Sequence, residues 1–219
     1  MKHPASAPTR RRRPSQSRAR ATADAIQQAF IQLLVEKGYD KVSIREVISV
    51  AGVGAGSFYE YFSSKETLAA ICIHLRIKEI AAAMRASLMK SSGAPLPERV
   101  DALLAAQTEA PLLEAEQWSA LFLLERRVSR IEAFRKLYAE FVQMWSELLA
   151  TGPGWPDGAP IHEAAFAAHS IAYGLVSQAL ITRAVDIDPV ALQRVLRNAV
   201  HGYLSLQAPH AYRLYRFDV

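Results

Sequence analysis

The sequence predicts an all-α protein of about nine helices in two domains. Three observations carry this expectation. Apolar residues recur at i, i+3, i+4 and i+7 in most segments, the stripe that a helix buries along one face. No segment shows the period-two alternation of a half-buried strand. Serine, aspartate, proline and glycine stand at the edges of the apolar stretches, where they cap or stop helices.

Residues 1–17 combine Pro4, Pro8 and Pro14 with serine and arginine and few apolar side chains, a composition expected to stay disordered. From Arg18 the pattern turns helical, with Ile26, Ala29, Phe30, Leu33 and Leu34 on one face and Gly38 as the stop. Ser43 and Glu46 fit a capping box that opens a short helix with Val47, Ile48 and Ala51 inward, ended by Gly52. Another short helix runs through Phe62. Ser63 and Glu66 read as a second capping box, opening a long helix whose apolar face is Leu68, Ile71, Cys72, Leu75 and Ile80. Further helices are expected over 97–109, 111–130 and 133–150, with Pro97 and Pro111 in first turns. TGPGWPDGAP (151–160) is a breaker loop. Two more helices follow, 161–184 and 189–206, the second capped by Asp188 before Pro189. The tail 207–219, with Tyr212, Tyr215 and Phe217, carries no assignable pattern.

The 219 residues suffice for a real core. The single cysteine, Cys72, excludes an internal disulfide and suits a reducing, cytoplasmic setting; on its apolar face it reads as a small buried hydrophobe. No apolar run looks long enough to span a membrane. The basic start lacks the apolar stretch of a secretory leader, although mitochondrial transit peptides share its Arg- and Ser-rich, acid-free composition. Of 26 basic residues, seven lie in residues 1–20, where there is no acid: Lys2, Arg10, Arg11, Arg12, Arg13, Arg18 and Arg20. The rest holds 19 cations against 21 acids, so the positive charge belongs to an arm and not to the body.

The most informative stretch is GVGAGSFYEYF, residues 52–62. A helix, a glycine turn and a second short helix make a helix-turn-helix pattern. Gly52 allows a positive-φ exit from the first helix, and Val53 can plug the corner. Gly54 and Gly56 leave the leading end of the second helix almost bare, able to approach a phosphate or base edge closely. Phe58 and Phe62 anchor its inner face, while Ser57, Tyr59 and Tyr61 point more outward.

The stretch FIQLLVEKGYDKVSIREVISVAGVGAGSFYEYFSSKETL closely resembles the DNA-binding domain of the tetracycline-repressor (TetR) family. The likeness covers roughly residues 20–75 and rests on many positions agreeing in order and spacing. It implies a helix-turn-helix DNA-binding domain over 18–65 and a helical effector-binding and dimerisation domain over 66–219, preceded by the arm of 1–17. It implies that Ser43 and Arg45 contact phosphates. Gly54, Ala55, Gly56 and Ser57 would enter the major groove, with Tyr59 and Tyr61 at its edge, and Lys65 would hold another phosphate. Many relatives place Ser or Thr and then Lys where this chain has Gly54-Ala55, so a side chain that often reads the groove is missing. The recognition helix has only Glu60 as a formal charge, and the arm arginines Arg10, Arg11, Arg12, Arg13 and Arg18 are expected to supply contacts along the backbone or in a minor groove.

In the second domain Trp118, Phe122, Phe141, Trp145, Phe166, His169 and Tyr173 lie on successive expected helices. Each alone reads as core; together they are candidates to line a ligand pocket. The resemblance implies such a pocket, closed by the fourth helix, and a homodimer through 161–184 and 189–206. Ala172, Gly174, Ser177, Ala179 and Gly202 would allow close helix approach there. Glu125, Arg126 and Arg127 read as solvent-facing charges. No nucleophile elbow, phosphate-cradling loop, catalytic acid pair or metal-ligand cluster stands out, so neither an enzyme nor a cofactor is expected. The expected role is a dimeric repressor released from a palindromic DNA operator by a small apolar or aromatic effector. An activator, a ligand-independent regulator, or an interaction module with weakened DNA readout remain alternatives.

Overall fold

The computed structural model describes residues 14–183 and 186–216. Among these residues the chain is all-helical, with nine α-helices: α1 (Pro14–Lys37), α2 (Ile44–Ala51), α3 (Ala55–Tyr61), α4 (Lys65–Lys90), α5 (Leu96–Leu113), α6 (Ala115–Val128), α7 (Ile131–Ala150), α8 (Ile161–Arg183) and α9 (Pro189–Gln207). A 3-10 turn, Tyr39–Lys41, joins α1 to α2.

The local signals explain most boundaries. Gly38 leaves α1 at φ 76 and Gly52 leaves α2 at φ 66, both in the region that favours glycine. Ser43 and Glu46 form the expected reciprocal capping box, and the Asp188 carboxylate accepts from the Val190 and Ala191 amides. Three expectations are corrected. Residues 14–17, expected in the disordered arm, are helical, because α1 already starts at Pro14, a residue whose fixed φ suits a first turn; the remainder of that arm, 1–13, lies outside the described residues. The cap of α4 is Ser64, whose side chain accepts from the Thr67 amide, rather than Ser63 with Glu66. Pro111 lies in the last turn of α5 instead of opening a helix; it removes the donor to the Gln107 carbonyl, and only two helical residues follow it.

α1 to α3 enclose a small core of Ile26, Phe30, Leu33, Val47, Phe58 and Phe62. It is closed by Leu68, Ala69 and Cys72 on the first turns of α4. Burial pushes the Cys72 thiol up to about 12, as expected for a small buried hydrophobe. α4, about 39 Å long, continues out of this core and packs on α5, α6 and α7, with Ile73, Ile80 and Met84 buried. Leu75, expected on that face, is exposed, because the buried stripe turns towards Ile73 and Ile80. α8 packs between α7 and α9. It has the length and apolarity to cross a membrane, contrary to the sequence reading, but half of its apolar stretch is buried in the bundle, as in a core helix.

The tail finds its place on α9. Tyr212 is buried and its hydroxyl lies 3.1 Å from His201 Nδ1, while Tyr215 stacks on the His201 ring at 4.2 Å. His201 Nε2 is 2.8 Å from Asp101 on α5, which also receives Arg197 in two bonds of 2.8 and 2.9 Å. Phe217 lies outside the described residues.

Candidate nucleic-acid interface and ligand cavity

The helix-turn-helix presents its residues unevenly. Gly54 is the N-cap of α3 at φ −79, with no side-chain cap. A Cβ built at Gly54 or at Gly56 would meet nothing within 4 Å, and neither has a positive φ. Nothing inside the molecule therefore demands glycine at these two positions, in contrast to Gly52. Phe58 is completely buried and Phe62 nearly so, packed at a centroid distance of 5.9 Å; these rings fix the inner face of α3. The opposite side carries exposed Ala55 and Gly56 with partly exposed Ser57. Tyr59 is 58% exposed, whereas Tyr61 is half-buried against the core.

Ser43 and Arg45 are both exposed at the start of α2. The Ser43 hydroxyl donates to Glu46 Oε2 at 2.7 Å, and Glu46 also pairs with Lys37. The Lys37 and Ser43 bonds hold the Glu46 carboxyl down at about 2. Lys65, the expected phosphate contact at the start of α4, is bonded within the chain. Its ammonium donates to the Tyr39 and Val42 carbonyls at 3.0 and 2.9 Å and sits 4.3 Å from the Tyr39 ring centroid, so it fastens α4 to the 3-10 turn. Arg18 is exposed on α1. Arg10, Arg11, Arg12 and Arg13 lie outside the described residues.

Inside the bundle, α4 to α8 surround a mainly apolar cavity of about 70 Å³, against the roughly 10–15 Å³ that admits one water. Trp118, Phe122, Phe141, His169 and Tyr173 line it, as the sequence suggested. Trp145 and Phe166 do not. Trp145 is fully buried one layer behind, and Phe166 is 51% exposed on the outer face of α8, touching Tyr138 at 5.9 Å. Both share the helical phase of the lining, Trp145 four residues after Phe141 and Phe166 three before His169, but each lies a turn beyond the lining, where the neighbouring helices decide what the ring meets.

A hydrogen-bond chain fixes the wall. Trp145 Nε1 donates to Gln107 Oε1 at 2.9 Å, which orients the amide so that Gln107 Nε2 donates to His169 Nδ1 at 3.3 Å. The neutral His169 ring therefore carries its proton on Nε2. Burial lowers the His169 pKa to about 4, so the imidazole is neutral at physiological pH. The buried indole N–H of Trp118 has no partner among the described residues.

Sequence reasoning missed Glu125. It is 6% exposed and lines the cavity, where Tyr173 Oη donates to its Oε2 at 3.1 Å. Burial raises its pKa, against the lowering by the Tyr173 bond and Arg126. Its position was legible: Trp118, Leu121, Phe122 and Glu125 fall at i, i+3, i+4 and i+7 on one face of α6. Arg127 faces solvent as expected and is also paired. It reaches Asp40 at 2.6 Å and lies 5.1 Å from the Tyr39 ring centroid, so the end of α6 is joined to the turn before α2.

Of the small residues expected at a helix-packing dimer face, Ala172, Ser177 and Ala179 are already buried within the chain. Gly174 and Gly202 remain partly exposed with open space where a Cβ would stand.

Residues 26–71 match the profile of bacterial regulatory proteins, tetR family. A curated relative, the uncharacterized HTH-type transcriptional regulator YvdT of Bacillus subtilis (strain 168), is 49% identical over 45 residues. That match spans 20% of this chain and 23% of the relative. The fold likeness reaches further. The fatty acid degradation regulator FadR of Bacillus halodurans superposes with a TM-score of 0.70 at 18% identity, over 83% of this chain and 95% of that one. FadR of Bacillus subtilis, solved in complex with stearoyl-CoA, gives 0.65 at 17% identity over 81% and 96%.

Proposed function

With residues 26–71 placing this chain in the tetR family of bacterial regulatory proteins, we propose that it is a sequence-specific DNA-binding transcriptional regulator, a dimeric repressor that a small ligand releases from its operator. The observation that carries the reading is the bare leading end of α3. Its two exposed glycines answer no internal need and suit close approach by an outside partner. Ser43 and Arg45 on α2 flank that end as phosphate contacts, with Tyr59 and Tyr61 beside the groove. Arg18 and the arm before it add cationic contacts.

The cavity supplies the ligand half of the proposal. Trp118, Phe122 and Glu125 on its wall share α6 with Arg127, which grips Asp40 beside α2. α4 runs from the cavity wall at Ile73, Ile77 and Ile80 to the small core under α3. A ligand that prefers one setting of α4 and α6 shifts the spacing of the two recognition helices, by its differential affinity for the two states. In a dimer formed through α8 and α9, that spacing must match successive major grooves, roughly 34–36 Å apart. That Bacillus subtilis FadR, a transcriptional regulator of similar fold, was solved in complex with stearoyl-CoA supports a ligand-binding use of this fold here.

Selection of bound genomic fragments with the purified full-length protein at fixed moderate salt tests the proposal. An enriched palindrome is the expected result. Binding without any enriched sequence would overturn sequence-specific regulation and leave Gly54-Ala55 as the cause of lost readout.

A further inference from the structure

The charge inside the cavity is lopsided. Two groups with basic character line it, Arg76 and His169. Arg76 is held at the rim by Glu114 at 2.6 Å, by Glu79 at 3.3 Å and by Gln117 at 2.9 Å, so two carboxylates already answer its one charge. His169 is neutral, with its Nδ1 accepting from Gln107. Arg126, the nearest other cation to Glu125, is exposed; it bonds the Phe122 carbonyl at 2.9 Å and stands 6.0 Å from the Tyr173 ring centroid, outside the cavity lining. Glu125 is the one carboxyl on the lining, buried, with no ion pair among the described residues and one hydrogen bond, on Oε2.

Around this carboxyl the wall is aromatic. Trp118 and Phe122 lie 5.5 Å apart by centroid, Phe122 and Tyr173 meet edge to face at 5.7 Å, and Tyr138 and Phe134 close the far side. A buried carboxylate short of partners is costly. Aromatic rings around such a group attract a weakly hydrated organic cation through their quadrupoles.

We propose that the cavity takes a hydrophobic organic cation, an alkyl- or arylammonium, with its charge at Glu125 and its apolar body among Trp118, Phe122, Tyr138 and Tyr173. The inference rests on the reading of this cavity as the effector site and names the chemical class of the effector. It separates this chain from an acyl-carboxylate binder, whose anion would meet Glu125 with no free cation on the wall. The unpartnered Trp118 N–H leaves a place for an acceptor on the same ligand and adds no charge.

Calorimetry on the full-length protein at neutral pH would compare benzyltrimethylammonium with neopentylbenzene, which has the same shape and no charge. The cation should bind tighter by about tenfold or more, the range of a desolvated cation–π contact with a counter-charge. Glu125→Gln should remove most of that preference while leaving neopentylbenzene affinity unchanged, which also shows that the variant folds. Equal or tighter binding of the neutral compound, no binding of either, or an unchanged cation affinity in E125Q would each overturn the proposal. If E125Q does not fold, the comparison on the unaltered protein decides alone. Fragment selection reads DNA binding without any ligand. A protein that selects a palindrome but prefers neopentylbenzene therefore loses only the cation inference.

Discussion

Replacing Gly56 by alanine separates what α3 needs to be stable from what it needs to meet DNA. The residue lies in the first turn of the helix, its φ is not positive, and an added Cβ meets nothing within 4 Å. Alanine therefore fits without strain. It should also stabilise, since glycine in a helix is worse than alanine by about 0.5–1 kcal/mol. For a chain of this size that raises the melting temperature by about 1–4 °C. If the bare surface of α3 approaches the groove, the same methyl stands between helix and DNA, and affinity for a selected fragment should fall by about tenfold, a loss of about 1.4 kcal/mol. Thermal melting followed by circular dichroism and fluorescence anisotropy at one salt concentration would read the two effects. A higher melting temperature with unchanged affinity would refute the close-approach argument. A lower melting temperature would refute the account of the helix itself. Gly52→Ala is the internal contrast: at φ 66 a side chain costs about 1–2 kcal/mol, so this variant should lose stability first.

Three further outcomes are expected. Removing residues 1–13 should weaken operator binding about tenfold at moderate salt and flatten its salt dependence, because each phosphate neutralised by an arginine adds to the slope; an unchanged slope in a salt titration would show that the arm makes no phosphate contacts. Arg127→Ala should leave the fold intact, since an exposed ion pair contributes at most about 1 kcal/mol, but should reduce the shift in operator affinity that a bound ligand produces; an undiminished shift in anisotropy would remove α6 from the coupling. His169 binds its proton less readily folded, at about 4, than unfolded, so its contribution to stability is full above the usual imidazole range and is lost as pH falls through that range towards about 4. The loss is on the order of 3 kcal/mol, measurable by denaturant unfolding from pH 7 to pH 4, and an NMR titration of His169 near 6.5 would contradict it.

How much of this was legible in the sequence depended on whether the deciding contacts were local. The turn after α2 could be read because Ser43, Glu46 and Gly52 act within their own helix. The same logic failed by one residue at α4, where Ser63 and Ser64 both offer a hydroxyl and only the backbone at Ser64 is placed to cap. At Pro111 the helix pattern could not say whether proline began a helix or sat in the last turn of the one before. The cavity was half legible. Helical phase on α6 and α8 brought Trp118, Phe122, His169 and Tyr173 inward, but whether a ring stops at the cavity, behind it or outside is set by neighbouring helices, which decided Trp145 and Phe166. Lys65, Arg127, Tyr212 and Tyr215 all bond across 11 or more residues of sequence, and no local pattern marked them.

These long-range bonds change where charge is available to DNA. Lys37 is paired with Glu46, Lys65 is held by two carbonyls and the Tyr39 ring, and Arg127 is paired with Asp40. α3 itself carries only Glu60. Around the turn this leaves Lys41 and Arg45, exposed and without an ion pair among the described residues, and Arg18 and Arg20 on α1 as cations turned to solvent. A recognition unit so short of charge cannot draw most of its affinity from the groove, because phosphate neutralisation dominates DNA binding. In a dimer as proposed above, the contacts would then come from Lys41 and Arg45, from the α1 end of the chain and from the second copy, with α3 contributing fit rather than charge. Arg45→Ala should accordingly weaken all fragments alike and lower the salt slope by about one, without changing which sequence is preferred. A change in the selected sequence, read by repeating the fragment selection with R45A, would place Arg45 on a base edge instead and would shift the site of readout from α3 to α2.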